Sequence, residues 1–155
     1  MSDSPSGVIP PLAGHGHLAL DEAELVAWGE RFGRASAPPL VVGLTGELGA
    51  GKTTLVRAIC RGFGVTDDVT SPTFTLVHRY TSPRGVVYHV DLYRLRGPFE
   101  LTNIGWDDML AEEALTLIEW PERAGERMPA MHVSIGLQHL PDDPSKRLLY
   151  AGGHA

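Results

Sequence analysis

The stretch GELGAGKT, Gly46 to Thr53, narrows the fold of this chain more than any other feature. It fits the pattern of a glycine, four residues, a second glycine, a lysine and a serine or threonine. An apolar run of strand length, LVVGLT (Leu40 to Thr45), precedes it. A helical pattern from Lys52 to Phe63 follows and ends at Gly64, a natural helix terminator. The spacing has a chemical reason. Glycines let the backbone curl until successive N–H groups point inward, and the helix that follows adds the positive end of its dipole. Lys52 then reaches the β- and γ-phosphates, and the Thr53 hydroxyl is placed to ligate Mg²⁺. Strand, loop, lysine, hydroxyl and helix together predict a site for a purine nucleoside triphosphate.

Such a loop needs a carboxylate at the end of a neighbouring strand, to hold Mg²⁺ through its water shell or to orient the attacking water. Two are on offer. VVYHVD ends at Asp91 and LTLIE ends at Glu119, each an apolar run that delivers an acid to a sheet edge. The pattern does not choose between them. Between loop and acids lies TSPTFTL, whose hydroxyls Thr70, Ser71, Thr73 and Thr75 sit where related nucleotide hydrolases keep a γ-phosphate sensor.

The rest of the chain reads as alternating strands and helices. HLAL (His17 to Leu20) is a short strand, and Asp21 is a good N-cap for a first helix. In that helix Leu25, Trp28, Gly29 and Phe32 fall on one face. TFTLVHRYTS and VVYHVDLYRL, joined by PRG, read as a hairpin. The segment from Pro98 to Ala114 turns helical, with Leu101, Ile104, Trp106, Met109 and Leu110 as its apolar positions. LTLIEW is a further buried strand, and MHVSIGLQHL and RLLYAGG form a final hairpin. This interleaving points to an α/β architecture.

Composition removes several function classes. At 155 residues the chain is one domain: residues 1–16 are expected to be a disordered tail, and residues 17–155 a single unit. A net charge of -6 argues against direct grip on a nucleic-acid backbone, so any nucleic-acid role is expected to be indirect. A single cysteine, Cys60, excludes an internal disulfide and fits a reducing cytoplasm. No apolar run approaches the roughly 20 residues that span a bilayer. The seven histidines show no structural-zinc spacing. No N-K-x-D guanine motif is present, which favours ATP over GTP. No internal arginine finger is evident, and a supplied finger is worth roughly 10³ to 10⁵ in rate. Hydrolysis is therefore expected to be slow until a partner docks. A small-molecule kinase is the competing reading, although such kinases generally carry an arginine-bearing lid and the region after Asp91 is only about 60 residues with few arginines.

GELGAGKTTLVRAICRGFG, SPTFTLVHRY, YHVDLYRL and LIEWPER, in this order and at these intervals, resemble the TsaE (YjeE) family of bacterial ATPases. The resemblance runs from about Asp21 to about Pro129. It implies a P-loop NTPase fold: a central, mostly parallel sheet flanked by antiparallel strands, with helices on both faces. It also implies slow, Mg²⁺-dependent ATP hydrolysis in cooperation with TsaB and TsaD, which install the threonylcarbamoyl group on adenosine 37 of tRNAs reading ANN codons. By the same resemblance Gly46, Gly49, Ala50, Gly51, Lys52, Thr53 and Thr54 would wrap the phosphates. Thr53 and Glu119 would form the metal pair, and Asp91 would orient the nucleophilic water. Thr73 would be the sensor, Trp120 would lie beside the active site, and Glu22 would approach the adenine through its backbone. Glu47 stands where the family usually has Asp, and Leu25 where it often has Thr.

Overall fold

A computed structural model describes residues 17–47, 49–70 and 76–153 of the chain. Its strands are β1 (His17–Asp21), β2 (Leu40–Thr45), β3 (Val77–Ser82), β4 (Gly85–Asp91), β5 (Ala114–Glu119), β6 (Val133–His139) and β7 (Lys146–Gly153). Its α-helices are α1 (Glu22–Ala35), α2 (Lys52–Phe63) and α3 (Trp106–Ala111). All seven strands join one sheet in the order β1-β7-β6-β2-β5-β4-β3. The central strands β6, β2, β5 and β4 run parallel, while β3 and the β1–β7 edge are antiparallel. The expected P-loop NTPase arrangement is therefore present.

Burial explains which strands lie in the middle. β5 is buried at all six positions, as a parallel strand covered on both faces must be. On one face Val42, Leu44, Val87, Leu115 and Leu117 pack against α1 and α2. On the other, Tyr88, Val90 and Ile118 pack against α3 and the 3₁₀ turns around it. Helix α1 begins with a capping box: the Asp21 carboxylate accepts from the Glu24 N–H at 2.8 Å, and Glu24 accepts from the Asp21 N–H at 2.9 Å. Such a cap is worth about 1 kcal/mol.

Two segments differ from the expectation. The β-rich run VVYHVDLYRL is strand only up to its acid, Asp91, whose carboxylate accepts from the Tyr93 N–H at 3.0 Å as the chain turns, so the LYRL half of the run is not strand. The helical stretch after Pro98 is split into a 3₁₀ segment, Pro98–Ile104, and the short α3, with Gly105 between them at φ 72°. The residues 1–16 expected as a disordered tail, and the sensor candidates Ser71, Thr73 and Thr75, lie outside the described residues. Among the described residues no helix is long and apolar enough to cross a membrane.

Cys60 is fully buried on α2, and burial pushes its thiol up to about 12. The thiolate is the reactive form. Labelling by a disulfide reagent at neutral pH should therefore proceed only at the rate of unfolding, which urea titration of the labelling rate would check.

Candidate active site

The loop between β2 and α2 is shaped by glycines in backbone conformations that a side chain resists. Gly46, Gly49 and Gly51 have φ of 146°, 79° and 104°. A Cβ on Gly46 would sit 2.7 Å from the Leu137 carbonyl oxygen, so the loop mouth is tight where it leaves β2. Ala50, 1% exposed, closes the loop by donating its N–H to the Glu47 carbonyl at 3.1 Å. Lys52 folds back inside the loop. Its Nζ donates to the Gly46 carbonyl and lies 3.9 Å from the Trp120 ring centroid.

The sheet brings the acids to this loop. β5 is the direct neighbour of β2, and β4 lies next to β5, with Asp91 and Glu119 paired in register. Side chains alternate along a strand, so both acids share the α2 face. Glu119 is buried at 3% exposure and Asp91 is half-buried. Gly49, Gly51, Lys52, Thr53, Thr54, Asp91, Tyr93, Glu119 and Trp120 line one cleft of about 340 Å³. Of the candidate residues described, Gly49, Gly51, Lys52, Thr53, Thr54, both acids and Trp120 thus converge, while Gly46 and Ala50 belong to the loop without lining the cleft.

Charge in this cleft is held at a cost. Burial lowers the Lys52 ammonium below its ordinary value, against the pull of Glu119, Asp91 and Glu122. Burial raises Asp91 above its ordinary value, opposed by the Tyr93 N–H and reinforced by the Glu119 charge. A raised carboxylate is easier to protonate folded than unfolded. The fold therefore gains stability as pH falls through the raised value of Asp91, and carries the full penalty above it. Asp91→Asn should consequently raise the melting temperature at neutral pH and flatten its rise on mild acidification, as a pH series of thermal melts would show.

Trp120 is the one non-glycine residue at positive φ among those described, with φ 59° and ψ 51°. Its N–H donates to the Leu44 carbonyl at 3.3 Å. Its ring contacts Tyr93 at 5.1 Å between centroids. A strained tryptophan over the loop lysine is the sort of outlier that collects at working sites.

A second cavity of about 450 Å³ lies on the other side of the loop, sharing Gly49, Gly51 and Thr54 with the first. Asp21, Glu22 and Leu25 of the first helix region form one wall, and Pro144, Ser145 and Arg147 the other. Glu22 is thus beside the loop but apart from the acids. Arg147 donates to the carbonyls of Pro144 at 3.0 Å, Lys146 at 3.1 Å and Gly49 at 3.4 Å. Thr70 lines neither cavity; its N–H donates to the Tyr80 hydroxyl at 3.3 Å.

Sequence reasoning missed three residues here. Tyr93 lines the first cleft and Arg147 the second, while buried His89 contacts Glu119 at 2.6 Å. His89 was within reach of the strand period, two residues before Asp91 on the same face. Arg147 had no local signal, because only the order of the sheet brings β7 near the loop.

The donor set suits Mg²⁺ bound with a nucleotide. Thr53, Asp91 and Glu119 offer hard oxygens beside a glycine cradle that would take phosphate. Among the described residues no group of three His, Cys, Asp or Glu side chains forms a cage. Mg²⁺ in phosphoryl-transfer sites does not require one, since water and phosphate supply most of its ligands.

Known proteins resemble this chain over most of its length. The family described as "Threonylcarbamoyl adenosine biosynthesis protein TsaE" matches residues 19–148. The tRNA threonylcarbamoyladenosine biosynthesis protein TsaE of Rickettsia bellii is 38% identical over 128 residues, covering 82% of this chain and 87% of the relative. That of Haemophilus influenzae is 35% identical over 127 residues, covering 79% and 80%. The crystal structure of Bacillus subtilis YdiB superposes with a TM-score of 0.71 at 26% identity, over 90% of this chain and 86% of that one. The matched span holds the loop, both acids and the helix before them, and the chain therefore belongs to the TsaE family of tRNA threonylcarbamoyladenosine biosynthesis.

Proposed function

We propose that this protein is a slow Mg²⁺-dependent ATPase that serves tRNA threonylcarbamoyladenosine formation by acting on the TsaB and TsaD proteins. The observation that carries this reading is the single cleft in which Lys52, Thr53, Asp91 and Glu119 meet. ATP would lay its β- and γ-phosphates in the loop, against the backbone N–H groups and Lys52. Its nucleoside would lie in the second cavity, between Glu22, Leu25 and the turn that carries Arg147. Thr53 and Glu119 would hold Mg²⁺, which neutralises charge developing between the phosphates. Asp91 would accept a hydrogen bond from the attacking water; burial raises its proton affinity above that of a free carboxylate, which makes it a better proton acceptor. Thr73 is proposed as the γ-phosphate sensor on the family motif alone.

Release of phosphate from ATP tests the reading, measured for the protein alone, with TsaB and TsaD added, and with a panel of small acceptors. Lys52→Met serves as the blank. Stimulation by the protein pair is expected. Strong stimulation by an acceptor, with none by the pair, would make the protein a small-molecule kinase and overturn the proposal.

Glu119→Ala should lower Mg²⁺-dependent turnover by about 10²-fold or more, as loss of a charge-stabilising group does, while nucleotide affinity without metal changes by only a few-fold. Equilibrium binding of a fluorescent ATP analogue, with and without Mg²⁺, separates the two effects. Loss of all nucleotide binding would instead give Glu119 a structural role.

A further inference from the structure

His89 is fully buried in the middle of β4, on the face that meets α2. Its Nε2 lies 2.6 Å from Glu119 Oε2. Its other ring nitrogen, Nδ1, is buried without a hydrogen-bond partner among the described residues. The ring is thus tied to polar structure at a single point, the Glu119 carboxylate. Packing alone does not account for a histidine here, because a leucine would fill comparable space without an unmet nitrogen. Neighbours on the same face, Val87 and Leu117, are apolar in that way.

Glu119 itself has few means of holding its carboxylate still. It ends β5, and the next residue, Trp120, turns away in a left-handed conformation. Among the described residues, His89 makes the one hydrogen bond to the Glu119 carboxylate. A carboxylate that binds metal needs one oxygen presented and the other restrained, and a partner bonded to the restrained oxygen does this.

We propose that His89 is a positioning residue: its Nε2–H donates to Glu119 Oε2 and leaves Oε1 to serve the Mg²⁺ site beside Thr53. The inference rests on the reading of Glu119 as the metal-site acid. It predicts that His89 governs metal affinity through Glu119 and leaves nucleotide affinity alone.

The test uses the full chain, Mn²⁺ as a spectroscopic stand-in for Mg²⁺, and a non-hydrolysable ATP analogue. Free Mn²⁺ is read by electron paramagnetic resonance for wild type, His89→Leu, His89→Gln and Glu119→Ala. His89→Leu should weaken Mn²⁺ binding to the protein–nucleotide complex by about 10- to 100-fold, with metal-free nucleotide affinity within a few-fold of wild type. His89→Gln, whose side-chain amide can present an N–H near the position of Nε2, should restore most of the loss. Wild-type Mn²⁺ affinity in His89→Leu would overturn the inference if Glu119→Ala is itself weakened. Unchanged affinity in Glu119→Ala would remove the metal role of Glu119, and the inference with it.

A second readout needs neither metal nor turnover. In the ¹⁵N-edited spectrum of the metal-free protein, His89 should show a slowly exchanging proton on Nε2 that shifts or exchanges faster in Glu119→Ala. A bare Nε2 in wild type would overturn the proposal even if the leucine variant does not fold.

Discussion

Replacing Lys52 with methionine should lower ATP turnover by about 10²- to 10³-fold or more, the loss seen when one preorganised charge-stabilising group is removed from an active site, and the fold should be at least as stable as before. The two halves of this expectation share one cause. Lys52 is only 5% exposed, and burial lowers its ammonium below the ordinary value of 10.5. A lysine with a lowered folded value is easier to deprotonate in the fold. Its contribution to stability is therefore present at high pH and lost as pH falls through the folded value, so at neutral pH the charge opposes folding. Methionine keeps the stem against the Trp120 ring and removes that charge. Three neighbouring acids pull the other way, but burial is the larger effect on Lys52. Phosphate release and thermal denaturation of the same preparation check both halves. Turnover within ten-fold of wild type would remove Lys52 from the phosphate grip. A large fall in melting temperature would make it structural.

The second large effect is on stability. Gly33→Ala on α1 should destabilise the protein by about 3 kcal/mol or more, the upper range for overpacking, and lower its melting temperature by roughly 10 °C. Helix propensity alone predicts the opposite sign, because alanine is better than glycine inside a helix by about 1 kcal/mol. The packing decides. A Cβ on Gly33 would overlap the Ile59 carbonyl of α2 and lie 2.8 Å from the Phe63 nitrogen. Both are backbone atoms, so no side chain can rotate to relieve the contact. Gly62 meets the Glu30 carbonyl in the same way, and a Cβ on Gly29 would fall 2.7 Å from the Ala58 Cβ. Helices α1 and α2 therefore cross with their backbones nearly touching. α2 begins at Lys52, so displacing it would also disturb the phosphate loop. Urea and thermal unfolding would measure the loss. An alanine variant as stable as wild type would mean that the helices can move apart freely.

These glycines illustrate the limit of periodicity. Gly29 was legible as a member of the buried face of α1, since it lies among Leu25, Trp28 and Phe32. That Gly33 and Gly62 meet opposite backbones was not, because the crossing of two helices is a property of the pair. The same holds for the cleft. LVVGLT, GELGAGKT and the helix after it were readable as one unit, since the glycines, lysine and hydroxyl are needed at fixed local spacing. Asp91 and Glu119 were readable as strand ends that deliver acids.

What the sequence by itself determined is the set of local instructions: the loop, the cap at Asp21, the strand ends at Asp91 and Glu119, and the family through its four motifs. Each depends on neighbours within a few residues, where backbone geometry leaves few alternatives. Only the tertiary structure decided that β5 and not β4 borders the loop strand, so that Glu119 lies one strand from the loop strand and Asp91 one strand beyond. It also turned His89 onto Glu119 and carried Arg147 from the far end of the chain to the loop. Those placements follow from sheet order and from the face on which each strand's side chains fall. Both are fixed by burying apolar surface on the two faces of the sheet at once, a condition that no short window of sequence contains.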